Sequence, residues 1–184
     1  MAVRRLAQEI RQVGGEEFPL SHAGDPTGLQ IYLNTYRAPA SAEQAAALLR
    51  CSEAAFVAVN DLPKLQAARR REDPPIHTVL EDRGPVARLH VVIVGNRPTL
   101  ELTNRMALAV GPWLVRYRGQ LLQASGDRFV FAVGEHPGEV SVVNQGAESR
   151  SVRLCFAGKS SRRDVTKMVA PGERVNASIE ASSR

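Results

Sequence analysis

Apolar positions along this chain recur at two periods, and the period changes near residue 98. In "RRLAQEIRQV", Leu6, Ile10 and Val13 fall at helical spacing, and Gly14 and Gly15 end the run. "FPLSHAG" reads as a short strand and loop. A helix is predicted to start at Asp25, with Pro26 at its first position and Leu29, Tyr32 and Leu33 on one face. Ser41 is the expected cap of the next helix, "AEQAAALLR", with Glu43 and Gln44 in its first turn. "AAFVAV" then has the uninterrupted apolar character of a buried strand. "NDLPKLQAARRRE" reads as a helix, and "IHTVLED" and "ARLHVVIVGN" as two strands joined by a tight "DRGP" turn.

After "NRP" (Asn96–Pro98) the runs become short, turn-bounded and alternating: "MALAVG", "WLVRYRG", "QLLQAS", "RFVFAV", "GEVSVVNQG", "SVRLCFAG" and "ERVNASIE". In "SVRLCF", Val152, Leu154 and Phe156 share one face, with Arg153 and Cys155 on the other. The expected class is α+β. A small α/β sheet domain with helices, residues 1–98, is followed by an antiparallel, β-sandwich-like domain, residues 99–184.

Composition narrows the function classes. Of the 24 basic residues, 21 are arginine, and residues 99–184 carry 12 basic against 8 acidic side chains. Arginine's planar fork matches phosphate and carboxylate oxygens, although a codon bias towards arginine gives the same composition. The basic clusters at Arg69–Arg71 and Arg162–Arg163 are each followed by acidic residues, and no basic stripe interleaves with aromatics, so nucleic acid is not an expected partner. Apolar runs such as Val91–Val94 are far short of the roughly 20 residues a spanning helix needs, and no signal-peptide pattern opens the chain, which as written reads as soluble. Cys51 and Cys155 lie far apart among apolar neighbours, and four histidines show no ligand spacing, so neither a disulfide, a metal nor a cofactor is expected.

Few residues suggest chemistry. No P-loop, dinucleotide fingerprint or nucleophile elbow occurs. His22 and Asp25, three apart, could form a base and its orienting partner; Asp25 as a helix cap beside a surface or hydrogen-bonded loop His22 is the plainer reading. Tyr32 and Tyr36, four apart, could share a helical face and stack on a sugar ring or pack on the sheet. Trp113 and Tyr117 bear on the same question, with Trp113 expected in a core or interface.

The segment "PLSHAGDPTGLQIYLNTYRAPASAEQAAALLRCSEAAFVAV", continuing through "DLPKL" to "VVIVGNRP", carries a family resemblance. It resembles the soluble C-terminal extension of bacterial integral-membrane glycosyltransferases, the group related to aminoarabinose transferases and protein O-mannosyltransferases. The shared pattern is a short strand, an aromatic-rich "LQ-IYLN" helix with an "R-P" after it, a helix, an apolar strand, and a final strand ending in "NRP"; it covers residues 5–98. This chain lacks the membrane helices and the acidic catalytic loop of those enzymes, so no catalytic residue carries over.

The resemblance implies a non-catalytic accessory domain of a polyprenyl-phosphate-sugar-dependent glycosyltransferase, on the periplasmic side of the inner membrane. Its partners would be a membrane-embedded catalytic domain in the same native chain and a glycan or lipid-linked sugar acceptor. The alternative is a stand-alone β-sandwich module binding carbohydrate or protein. Either way the residues expected to touch ligand are Tyr32, Tyr36, Trp113, Tyr117 and His22.

Overall fold

A computed structural model describes residues 2–14, 18–24, 27–82 and 90–181. Among them lie twelve strands in three mostly antiparallel sheets and four short helices, a mainly-β fold. The expected α+β class is met only at that coarser level. Two helices are shorter than the sequence pattern suggests: "TGLQIYL" closes at Leu33, and "NDLPKLQAARRRE" is helical only over Leu62–Ala67.

The first sheet has the order β1 (Leu20–Ala23), β2 (Phe56–Val59), β4 (Val92–Gly95), β3 (His77–Glu81), with β1 and β2 parallel and the other pairs antiparallel. Its inner strands are buried on both faces, which is why they read as continuous apolar runs. Helices α1 (Ala2–Gly14) and α2 (Thr27–Leu33) cover one face with Leu6, Ile10, Leu29 and Leu33, against Leu20, Phe56 and Ile93. Helices α3 (Ala42–Leu49) and α4 (Leu62–Ala67) cover the other with Leu48, Leu49 and Leu65, against Val57, Val59 and Val94. As expected, Ser41 caps α3. Its hydroxyl accepts from the Gln44 amide while Gln44 Oε1 accepts from the Ser41 amide, a reciprocal capping box.

Eight further strands form two sheets. One has the order β12 (Arg174–Ile179), β9 (Gly138–Asn144), β6 (Trp113–Arg118), β5 (Met106–Val110); the other runs β11 (Arg162–Val169), β10 (Arg150–Ala157), β8 (Arg128–Ala132), β7 (Leu121–Ser125). Every pair is antiparallel except β8 with β10. Trp113, Val115, Tyr117, Val140 and Val142 of the first share one apolar cluster with Phe129, Phe131, Val152, Leu154 and Phe156 of the second. Tyr117 meets Phe131 across it, ring centroids 5.6 Å apart. Strand β11 was not anticipated, because "RRDVTKMV" buries only Val169 and lies at a sheet edge where charged residues stay wet.

Strand β5 joins the halves. Its outward-facing edge would leave backbone groups of residues 107, 109 and 111 unpaired. Instead the Ala54 carbonyl accepts from the Ala107 amide (3.0 Å), Ser21 Oγ bonds both backbone groups of Ala109, and Gln44 Nε2 donates to the Gly111 carbonyl (2.6 Å). The apolar clusters cross with it: Met106 and Leu108 join Phe56 on one side, Ala107 and Ala109 join Val57 on the other.

Local expectations fare unevenly. His22 is not in a loop; it is the third residue of β1 and is 1% exposed, since a strand flanked by helices offers no wet face. Tyr32 and Tyr36 do not share a helical face: Asn34, at φ 53°, turns the chain out of the helix between them. Cys155 is buried like its apolar neighbours although it shares a strand face with exposed Arg153. The Asp25 cap with Pro26, the body of the "DRGP" turn and most of the C-terminal tail lie outside the described residues.

Candidate functional site

The outer face of sheet β12-β9-β6-β5 carries polarity in rows. In β6, Trp113, Val115 and Tyr117 point into the core, so alternation turns Arg116 and Arg118 outward. Register sets Arg116 beside Ser141 of β9, and Ser141 beside Asn176 of β12. The next row is Arg118, Glu139 and Ser178. With Arg105, Arg174 and Glu53 at the margin, these rows line a groove of about 630 Å³.

Four arginines against two glutamates make the groove cationic. Among the described residues, Arg105, Arg118 and Arg174 form no ion pair with a carboxylate. Arg116 faces Glu53, whose Oε2 lies 3.6 Å from its Nε: close enough for charge attraction, too long for a hydrogen bond. Glu53 is placed from the other half of the chain. Asn96 Nδ2 donates to the Cys51 and Glu53 carbonyls (2.9 and 2.7 Å), its Oδ1 accepts from the Ala55 amide (3.0 Å), and Arg97 donates to the Ser52 carbonyl (2.6 Å). The "NRP" residues therefore fasten the loop that presents Glu53. Burial pushes the neighbouring Cys51 thiol up, an effect the Arg116 guanidinium partly offsets, so it stays protonated.

Two polar atoms at the groove floor are buried without a hydrogen bond: Arg116 Nε, which has only the longer ion-pair contact with Glu53, and Ser141 Oγ. They sit on paired residues of adjacent strands. Buried donors rarely go unmatched, and both atoms can donate to one oxygen-bearing group from above. The arrangement can grip an oxyanion.

The residues singled out from sequence are scattered. Trp113 is fully buried, with Nε1 donating to Asp127 Oδ1 at 2.7 Å. Tyr117 is buried, and desolvation raises its phenol well above the ordinary value. Tyr32 is half-buried against the core and Tyr36 is 78% exposed beyond the helix. His22 has neither ring nitrogen hydrogen-bonded, and burial, assisted by the charge of Arg37, lowers its pKa to about 3; it is a neutral core residue. Only Tyr117 lies at the groove, on the strand whose arginines line it. Arg116, Ser141 and Arg174 were not singled out. The available signal was "WLVRYR", where arginines two apart alternate with core aromatics.

The polar residues of the resembling segment serve local structure. Gln30 Oε1 accepts from the Arg37 amide (2.9 Å), and buried Arg37 donates to the Phe18 and Leu20 carbonyls at 3.2 and 2.7 Å, tying the chain after α2 to the start of β1.

A second cavity of about 460 Å³ opens at the carboxyl ends of parallel β1 and β2, lined by Gly24, Ser41, Asn60, Asp61 and Lys64. Ser41 and Asp61 there accept from their own helices' amides, which engages the Ser41 hydroxyl and one carboxylate oxygen of Asp61 in capping. Among the described residues, no group of three or more His, Cys, Asp or Glu side chains could hold a metal ion, and no helix is long and apolar enough to cross a membrane. No family model matches the chain, and neither a curated protein nor a solved structure matches it.

Proposed function

We propose that this chain is a non-catalytic recognition domain that presents its arginine-lined groove to an anionic acceptor. The observation that carries the reading is the floor of that groove, where Arg116 Nε and Ser141 Oγ are buried on paired strand positions without a hydrogen bond. The resemblance of residues 5–98 supplies a setting: an accessory domain of a polyprenyl-phosphate-sugar-dependent membrane glycosyltransferase, on the extracytoplasmic side, holding a glycan or lipid-linked acceptor near a catalytic domain. In this reading residues 1–98 form a small α/β domain that docks, and residues 99–184 a β-sandwich-like domain that touches the acceptor.

A stand-alone carbohydrate- or protein-binding module is the second reading, favoured by one feature: all four groove arginines lie beyond residue 98. Both readings need the groove. Retention of the whole chain on immobilised polygalacturonate, against a variant carrying glutamine at positions 105, 116, 118 and 174, tests them together. The variant is expected to elute at markedly lower salt, with both proteins passing unretarded through a neutral dextran gel; equal elution would remove the groove from the account.

A further inference from the structure

We infer that the ligand of the groove is a carboxylate-bearing, hydroxyl-rich oligosaccharide, its carboxylate held by Arg116 and Ser141. The inference rests on the proposed function and narrows it to a chemical class.

Three features select that class. First, the atoms left without a hydrogen bond are a guanidinium N–H, with Glu53 Oε2 no nearer than 3.6 Å, and a hydroxyl on paired strand positions. Neighbouring strands stand about 4.8 Å apart, so the two side chains can converge on the two oxygens of one planar carboxylate.

Second, the groove is mixed rather than uniformly basic. Glu139 lies in register with Arg118, and Glu53 faces Arg116. A chain of closely spaced phosphates would meet both carboxylates with like charge, whereas a single carboxylate at Arg116 would meet only Glu53. Sugar hydroxyls would donate to the glutamates instead, while Asn176 and Ser178, in the same rows, can both donate and accept. Four arginines and two glutamates suit a ligand whose few negative charges are spaced out among hydroxyls.

Third, no aromatic ring is offered to a nucleobase. Tyr117, the one aromatic residue at the groove among the described residues, turns its ring into the core against Phe131. Single-stranded nucleic acid binding depends on such stacking. The cavity's size, about 630 Å³, falls in the range of about 300–1,000 Å³ usual for ligand sites.

Calorimetric titration of the whole chain with trigalacturonic acid, its methyl ester and tripolyphosphate tests the assignment. The free acid is expected to bind, and the ester at least about tenfold more weakly. R116Q should weaken binding of the acid by about tenfold or more and S141A by a few-fold, with unchanged melting temperatures. R153Q, on the outer face of the other β-sheet, should bind as the native chain does. Equal binding of acid and ester, or loss with R153Q equal to that with R116Q, would overturn the carboxylate grip. Tighter binding of tripolyphosphate, still lost in R116Q, would overturn the glycan assignment and leave the anion-binding groove standing. Failure of all three probes would overturn this inference and the groove's proposed role alike.

Discussion

The hydroxyl of Ser21 donates to the Ala109 carbonyl at 3.0 Å and accepts from the Ala109 amide at 2.8 Å. One side chain thus does for strand β5 what a neighbouring backbone would do, 88 residues away in sequence. The site is fully buried, so neither backbone group has solvent to fall back on. Ser21→Ala should therefore cost about 1–3 kcal/mol in denaturant unfolding, the usual penalty for stranding buried polar groups. A cost near zero would mean the seam between the halves is loose.

Gly95 stands opposite Phe56 in the β2–β4 ladder, and the Phe56 ring lies over it. A methyl group at Gly95 would fall 2.5 Å from Phe56 Cδ1, and the ring is itself packed on Phe18 at 5.6 Å between centroids. Gly95→Ala is expected to destabilise by about 1–3 kcal/mol through overpacking. Thermal melting of the variant checks this, and an unchanged melting point would show that the ring has room to move.

Phe56→Asp should prevent folding. Phe56 is fully buried on an inner strand, and an unpaired charge there costs several kcal/mol. Circular dichroism of the purified variant should show loss of native structure in both halves, because Phe56 shares a cluster with Met106 and Leu108.

His22 makes stability depend on acid. Its folded-state pKa, lowered to about 3, lies below the ordinary value of 6.5. The unfolded chain therefore binds the proton more readily. The stabilisation is present in full above about pH 6.5 and is lost as pH falls from there towards 3, at up to about 1.4 kcal/mol per pH unit. His22→Leu should flatten the stability profile across that window in urea titrations at successive pH values. An equally steep profile in the variant would place the acid sensitivity elsewhere.

What the sequence made legible was periodicity. Helix α1, the Ser41 cap, strand β2 and most strands beyond residue 98 announce themselves because burial imposes spacing on apolar residues. Strand β11 does not, since its inward-facing positions include Arg163 and Lys167. The Tyr32–Tyr36 face fails for a reason no apolar pattern contains, a single left-handed residue at Asn34. The groove was hidden more deeply. Arg116, Ser141 and Asn176 become neighbours only once β6, β9 and β12 are placed side by side. Their adjacency belongs to strand order, which local spacing does not encode.

The most direct test of the recognition role is an amide chemical-shift map of the whole chain titrated with trigalacturonic acid. The account predicts shifts concentrated at residues 116–118, 139–141 and 174–178, on the outer face of one sheet. Shifts centred instead on Tyr36, or on the cavity around Gly24 and Asn60, would contradict it.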